Sequence, residues 1–210
     1  MSESKDWISK VASIVSVLFH PVFIPVYGLF VIYSAPTLLS YIPFRLKKLV
    51  LLMVVLNNVI LPLSVTLILY ARGAVRTIYA RERHERLLLL ILSLLLYTVT
   101  AILLVKVPVP NLFKAYFISV AVVTLATLIV NLFYRISLHA AAMGGLLALP
   151  CFMMVLFDIV AIGYITGIIL LSGIVSFSRL YLEEHRAGEV WLGFLTGAGV
   201  MSLSLFILLF

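Results

Sequence analysis

The residues best suited to chemistry in this sequence lie in the stretch SRLYLEEHRAGEV, residues 178–190. His185 and Glu189 are four residues apart, so on a helix they would share a face. A carboxylate at that spacing can accept the imidazole Nδ1 proton, which leaves Nε2 as a nucleophile or a base. Arg179 can hold an anion through two parallel hydrogen bonds, because its guanidinium is planar and always charged. The stretch therefore predicts a nucleophile beside an anion-binding group.

The surrounding sequence is too apolar for a soluble domain. Of its 210 residues, 64% are hydrophobic and 11% are charged, and the mean hydropathy is +1.26. Soluble domains carry roughly 25% charged residues, and a core of this size could not bury so much apolar surface. We therefore predict an all-α polytopic membrane helical bundle with about six to seven transmembrane helices. No loop is long enough for a separate soluble domain, so residues 1–210 are expected to form a single transmembrane domain.

Seven stretches have the length of about 20 apolar residues that a bilayer core of about 30 Å requires. They cover residues 11–34, 49–71, 87–105, 115–134, 137–157, 159–178 and 190–210. The first contains His20, Pro21 and Pro25, which predict a kink or a break near one membrane face. The second contains Asn57 and Asn58, whose amides are expected to form interhelical hydrogen bonds.

Because each span crosses the bilayer, alternate loops lie on the same side of the membrane. Three polar loops return to the side of the N-terminus, at residues 72–86, 135–139 and 179–189. That side receives seven of the eight acidic residues, three of the four histidines and ten of the fifteen lysines and arginines. His84, His139 and His185 are therefore predicted to meet at one membrane face. Solvated loops and topology signals would account for many of the arginines equally well.

These histidines, together with Glu189, could also supply ligands to a metal ion such as zinc. The same loops carry arginines that would repel a dication: Arg83, Arg86, Arg135, Arg179 and Arg186. The sequence contains no HExxH motif and no cluster of cysteines. The residues therefore favour an anion site that uses neither a metal ion nor another cofactor.

The last polar loop resembles a signature of a known membrane enzyme family. Its residues are Ser178-Arg179, then five residues, His185, three further residues and Glu189. The type 2 phosphatidic acid phosphatase superfamily carries SRxxxxxHxxxD as its third signature, so this loop has Glu where the family has Asp. The family's core is a helical bundle with three signatures at one membrane face. The resemblance implies a phosphatase-like core over roughly residues 70–200.

The two earlier loops are similar to the other signatures of that superfamily. Ser137 and His139, in the phrase ISLH, match the Ser and His of the second signature, PSGH. Arg76 and Arg83 have the spacing of the first signature, KxxxxxxRP, with Arg in place of Lys. Arg86 competes with Arg83 as the phosphate-binding arginine.

The resemblance implies a phosphoryl transfer without a metal ion or cofactor. His185 would attack phosphorus to give a phosphohistidine, and Glu189 would orient its ring. His139 would protonate the leaving group and then activate water, which agrees with catalysis by positioning and charge stabilisation. The groups expected to hold the phosphoryl oxygens are Arg179, Arg83, Arg86, Arg76, Ser137 and Ser178.

The leading hypothesis is thus a membrane phosphatase acting on a phospholipid or polyprenyl phosphate, with no nucleic-acid partner and no predicted oligomer. The alternative is a relative without catalysis that binds anionic lipid or serves as a subunit of a membrane complex, because the first two signatures are incomplete. A small transporter or channel is disfavoured, since the spans contain few charges and no clear inverted repeat.

Two signals disagree about the orientation of the chain. The family resemblance implies a bacterial cytoplasmic (inner) membrane with the site on the extracytoplasmic face. The count of lysines and arginines would instead put the side that bears the site in the cytoplasm. Several of those arginines belong to the expected site and are poor topology markers, so the family's orientation is preferred.

Overall fold

The structure is a computed structural model that describes residues 2–73 and 83–210. Within these ranges the backbone forms nine α-helices and no β-strand. The helices are α1 (Ser2–Leu18), α2 (Ile24–Ser34), α3 (Phe44–Val55), α4 (Leu61–Ala71), α5 (Arg83–Val105), α6 (Asn111–Phe133), α7 (Leu138–Phe157), α8 (Ile162–Tyr181) and α9 (Ala187–Leu209).

Seven helical segments of the described chain are long and apolar enough to cross a membrane, which confirms the predicted all-α polytopic bundle. They are Trp7–Ser34, Phe44–Ala71, His84–Val105, Asn111–Phe133, Leu138–Phe157, Ile162–Tyr181 and Ala187–Leu209. The first contains α1 and α2, and the second contains α3 and α4. Large apolar side chains such as Leu95, Leu195 and Ile207 are exposed on the outside of the bundle, as expected where the surroundings are lipid.

The first span is interrupted where the sequence predicts a break. Helix α1 ends at Leu18, and a 3₁₀ turn at Pro21–Phe23 precedes α2. Proline has no amide N–H, so it is tolerated at the start of a helix and interrupts the hydrogen bonds of a helix interior. The break leaves His20 with an extended backbone, at φ −61° and ψ 138°.

The second span contains a π-helical turn, Leu56–Ile60, between α3 and α4. Asn58 in this turn is fully buried, and its Oδ1 accepts a hydrogen bond of 2.6 Å from the Thr100 hydroxyl of α5. A polar group in an apolar interior needs such a partner. The interhelical hydrogen bond expected for Asn58 is therefore confirmed.

Helices α7 and α9 pack backbone against backbone. A Cβ atom at Gly193 would overlap the carbonyl of Ser137, and a Cβ at Gly197 would overlap the carbonyl of Ala141. Glycine permits this approach because it has no side chain. Both contacts advance by four residues in the same direction, so α7 and α9 run parallel and their N-termini lie side by side. Helix α6, with buried Tyr116, packs behind them against α5 and α9.

Candidate functional site

The predicted pair of His185 and Glu189 forms where the turn after α8 meets α9. His185 lies in that turn and Glu189 in the first turn of α9, so the two are not on one helix. Their Nδ1 and Oε2 atoms are 2.6 Å apart. A carboxylate only accepts hydrogen bonds, so Nδ1 carries the proton and Nε2 keeps its lone pair. The glutamate side chain, one methylene longer than an aspartate, thus reaches the ring.

The surroundings of His185 favour the neutral imidazole. Burial lowers the pKa of His185 below its ordinary value of 6.5. The hydrogen bond to Glu189 raises this pKa in part, and the positive charges of Arg179 and Arg135 lower it further. A charged imidazole is disfavoured both by desolvation and by neighbouring cations. The His185 imidazole therefore stays neutral down to a lower pH than the imidazole of a free histidine. A nitrogen nucleophile must be neutral, because only then is its lone pair available.

Ser137 joins the start of α7 to the start of α9. It is fully buried and caps α7, since its Oγ accepts a hydrogen bond of 3.4 Å from the backbone N–H of Ala140. Its own backbone N–H donates to the Glu189 carbonyl at 3.0 Å. Helix capping of this kind stabilises a helix terminus. The Ser137 hydroxyl therefore serves to position His139, two residues further along the chain.

His139 is held by the first span. Its Nε2 atom lies 3.0 Å from the backbone carbonyl of Ser16. Since a carbonyl only accepts, Nε2 carries the proton and Nδ1 keeps the lone pair. The His20 ring lies beside it, with ring centroids 5.4 Å apart and the planes at 87°. The free lone pair of His139 is therefore on Nδ1, whereas that of His185 is on Nε2.

These histidines share one cavity of about 200 Å³. Its charged and imidazole side chains are His20, Arg86, Arg135, His139, Arg179, Glu184 and His185, and hydroxyl groups such as Ser93 and Thr127 add to the polar lining. Its apolar lining comes from the spans and includes Leu90, Tyr97, Tyr116, Val120, Leu146 and Met201. A cavity that is cationic at one end and apolar along its body matches a molecule with an anionic head and an apolar chain.

The cationic part of the cavity is assembled from three separate elements. Arg86 comes from α5, Arg135 from the loop before α7, and Arg179 from the last turn of α8. Glu184 contacts two of them: its carbonyl accepts from Arg135 Nη2 at 3.1 Å, and its Oε2 lies 3.9 Å from Arg179 Nη2. Arg86 is 8% exposed. Three arginines border one cavity, and a guanidinium can donate two parallel hydrogen bonds to the oxygens of an anion.

A second cavity, of about 360 Å³, adjoins the first on the polar side of the bundle. Arg135, Glu184 and His185 line both cavities, and Glu189 lines the outer one. Its lining is almost entirely charged, which suits a water-filled volume. His185 therefore lies between an apolar chamber and a polar vestibule.

Among the predicted residues that the structure describes, the first cavity is not lined by His84, Ser137, Ser178 or Glu189. Arg76 and the side chain of Arg83 lie outside the described residues. Ser178 is buried and its hydroxyl donates to the Ile174 carbonyl of its own helix at 2.8 Å. His84 is exposed and lines neither cavity. The expected convergence therefore brings together two of the three loop histidines, His139 and His185.

A helical rotation explains why His84 is excluded while Arg86 is included. Two residues apart on α5, their side chains project in directions that differ by about 200°. Only one of them can face the cavity, and the buried one is Arg86. Alternation of the loops predicts the side of the membrane on which a residue lies, but it contains no information about rotation around the helix axis.

Besides Arg135, the cavity residues His20 and Glu184 are not predicted by the spacing of the signatures. His20 belongs to an early span far from the three loops in sequence, and its only signal is the His-Pro pair at a predicted helix break. Glu184 precedes His185 directly and reads as a solvated loop residue. Both become recognisable once the first span packs against α7 and α8.

The site thus combines two histidines of opposite tautomer with a cluster of arginines. Within the described ranges, no group of three or more His, Cys, Asp or Glu side chains is placed to hold a metal ion. In comparisons with known proteins, the chain matches no protein-family model, no curated protein and no solved structure.

Proposed function

We propose that this protein is an integral membrane phosphatase that hydrolyses a lipid phosphate or diphosphate monoester through a phosphohistidine intermediate. The observation that carries the proposal is the pair of histidines in one cationic cavity. Glu189 leaves His185 with a free Nε2 lone pair, and the Ser16 carbonyl leaves His139 with a free Nδ1 lone pair. One nitrogen serves as nucleophile and the other transfers protons.

In the first step, the Nε2 lone pair of His185 forms a bond to phosphorus. The bond between phosphorus and the leaving oxygen breaks, and that oxygen takes a proton from Nδ1 of His139, which has accepted it from the hydroxyl of the bound phosphate monoanion. The arginines at the cavity hold the remaining phosphoryl oxygens and balance their charge. Glu189 accepts the Nδ1–H of His185 throughout, so the positive charge that develops on the ring has a partner.

In the second step, a water molecule attacks the phosphorus of the phosphohistidine. Its proton passes to Nδ1 of His139, and the bond from phosphorus to Nε2 breaks and returns its electron pair to His185. Nδ1 of His139 then gives that proton to the departing inorganic phosphate and regains its lone pair. The polar vestibule beside His185 supports this step, because it offers water a path that avoids the apolar chamber.

The apolar lining supports a lipid as substrate. A phospholipid or polyprenyl phosphate could place its head among the arginines and its chain along Leu90, Tyr97 and Leu146. The anion would then not need to leave the membrane surface. We place the site on the extracytoplasmic face of a bacterial inner membrane, following the family resemblance. A topology reporter fused to Phe210 should then report a cytoplasmic C-terminus, because seven spans separate the two ends.

Phosphate release from defined lipids tests the proposal. The purified protein in detergent micelles is given phosphatidic acid, phosphatidylglycerol phosphate or a polyprenyl diphosphate, with and without a chelator. At least one substrate should release phosphate, equally well with chelator present. The His185→Ala protein should lose the activity by at least about a hundredfold, since the nucleophile is removed. Release from none of the substrates above the His185→Ala background would refute the proposal.

His84→Ala is the matched control. It removes a histidine from the same side of the membrane, but His84 is exposed and lines neither cavity. Its activity should equal that of the unchanged chain. Quenching with SDS at alkaline pH during turnover of a ³²P-labelled substrate should trap a ³²P-labelled protein that is stable in base and labile in acid, and His185→Ala should abolish the label.

A second candidate function is binding of an anionic lipid without turnover. It is favoured by the position of Ser137. The resemblance implies that this hydroxyl holds a phosphoryl oxygen, but here it is fully buried and caps α7. The cavity would then bind phosphatidic acid with an affinity that His139→Ala leaves unchanged, and no phosphate would be released. The phosphate-release assay separates the two functions directly.

A further inference from the structure

His20, in the break between α1 and α2, reaches the cavity but takes no part in the proposed phosphoryl transfer. His20 lines the same cavity as His139, His185 and Arg179. It is half-buried and comes from a span that the three signature loops do not include. His20 shares the cavity with His139, the proposed proton-transfer group, and with Arg179. It is therefore placed to contact a ligand that binds in the cavity.

The local backbone holds the His20 ring in position. Pro21 follows it and begins the 3₁₀ turn, and His20 is the cap of that turn with an extended backbone. The ring Nδ1 accepts a hydrogen bond of 3.4 Å from the backbone N–H of Val22. On the other side the ring packs edge-to-face against His139. Both contacts reduce the freedom of the side chain before any ligand binds.

These contacts also decide which nitrogen of His20 is protonated. A backbone N–H can only donate, so Nδ1 is the acceptor and the neutral ring carries its proton on Nε2. No residue in the described part of the chain accepts a hydrogen bond from that Nε2–H. The cavity thus contains an Nε2–H donor beside the arginine cluster, held by the fold and without a hydrogen-bond acceptor among the described residues.

We propose that His20 is a further substrate-contacting residue, which donates its Nε2–H to an oxygen of the phosphoryl group. The inference rests on the proposed function and adds a residue outside the three signature loops. No bond to His20 forms or breaks, and its proton stays on Nε2. Charge shifts onto the phosphoryl oxygens during transfer, so a pre-positioned donor stabilises the transition state more than the bound substrate.

Two substitutions separate the donor from the helix cap. In His20→Asn the side-chain oxygen takes the place of Nδ1, so the cap on Val22 is kept and the donor is lost. In His20→Gln the amide nitrogen reaches the place of Nε2, so a donor is kept. Loss of one such donor lowers kcat by about a hundredfold in comparable sites. We expect this fall in kcat for His20→Asn, with KM nearly unchanged. His20→Gln should keep most of the activity of the unchanged chain.

The affinity for orthovanadate distinguishes a substrate contact from a purely structural role, because a structural role would leave that affinity unchanged. Orthovanadate adopts the five-coordinate geometry of the transition state, so its affinity should fall by about the same factor as kcat in His20→Asn. The melting temperature of that variant should match the unchanged chain. Equal kcat and equal vanadate affinity in the two would overturn the inference. So would a folded His20→Gln protein as impaired as His20→Asn.

Vanadate binding also distinguishes this inference from the proposed function. If the unchanged chain releases no phosphate, calorimetry with orthovanadate still tests the donor. If vanadate binds to His20→Asn more weakly than to the unchanged chain, the result supports His20 as an anion contact even though the phosphatase proposal fails. Binding that is absent, or equal in both proteins, overturns it. In the unchanged chain labelled with ¹⁵N-histidine, vanadate should shift the His20 Nε2–H resonance, and a resonance that does not move would overturn it too.

Discussion

Glu189→Gln tests the central pair of the site, because it keeps the length of the side chain and removes its charge. The hydrogen bond to His185 is 2.6 Å long and joins side chains that are only 14% and 7% exposed, so water screens it poorly. A hydrogen bond to a charged group contributes about 1.5–3 kcal/mol. A tenfold change in rate corresponds to about 1.4 kcal/mol. We therefore expect kcat for phosphate release to fall by about 10- to 150-fold.

The same substitution changes the pH dependence in a defined direction. Burial lowers the pKa of His185, and the Glu189 hydrogen bond raises it in part. Without the carboxylate the pKa of His185 falls further. The proposed nucleophile must be neutral, so activity should rise with pH through this pKa. The acid limb of the kcat/KM profile should thus move to lower pH in Glu189→Gln, while the height of the plateau decreases.

Two further variants complete the test. Glu183→Gln removes a nearby carboxylate that lines the outer cavity and is exposed, so its kcat should stay within about twofold of the unchanged chain. Glu189→Asp keeps the charge but shortens the side chain by about 1.5 Å, which takes the carboxylate out of hydrogen-bond reach on this backbone. The fall in kcat for Glu189→Asp should therefore be nearly as large as the fall for Glu189→Gln. Equal kcat in Glu189→Gln and Glu183→Gln, or an acid limb that moves to higher pH, would refute the reasoning.

Two other changes test the packing and the anion site. Gly197→Ala would press a Cβ against the Ala141 carbonyl and cost about 1–3 kcal/mol of stability. Thermal unfolding in detergent should show the loss for Gly197→Ala but not for Gly199→Ala, where a Cβ meets open space; equal melting temperatures would contradict the close packing of α7 and α9. Arg179→Lys keeps the charge and loses the planar fork, so kcat should fall about tenfold or more. Arg186→Lys, which lines only the outer cavity, should leave it unchanged, and an equal fall in both would argue against a specific contact by Arg179.

The membrane architecture is predictable from the sequence because it depends on local properties. A span needs about 20 apolar residues, and its backbone can satisfy its hydrogen bonds inside one helix. The break at His20-Pro21 is local for the same reason, since proline removes a donor from the helix. The interhelical hydrogen bond of Asn58 follows from the cost of burying an unpaired amide. None of these features depends on which helix lies next to which.

The histidine and carboxylate pair is predictable in its residues but not in its geometry. The sequence spacing of His185 and Glu189 suggests one helix face, yet the chain turns between them and α9 begins at Ala187. The hydrogen bond forms across that turn because the start of α9 is fixed against α7, where Ser137 N–H donates to the Glu189 carbonyl. A packing contact between distant residues thus sets the distance within a local pair.

By itself the sequence determined the number of spans and the break in the first, and it predicted that the three polar loops share the side of the N-terminus. Only the tertiary structure decided that Arg86 and His20 enter the cavity while His84 does not. It also decided the tautomer of His139, because the acceptor is a carbonyl 123 residues away, on Ser16. Rotation of a helix about its axis and the choice of its neighbour depend on close packing, such as the glycine contacts of α9, and hydropathy does not encode them.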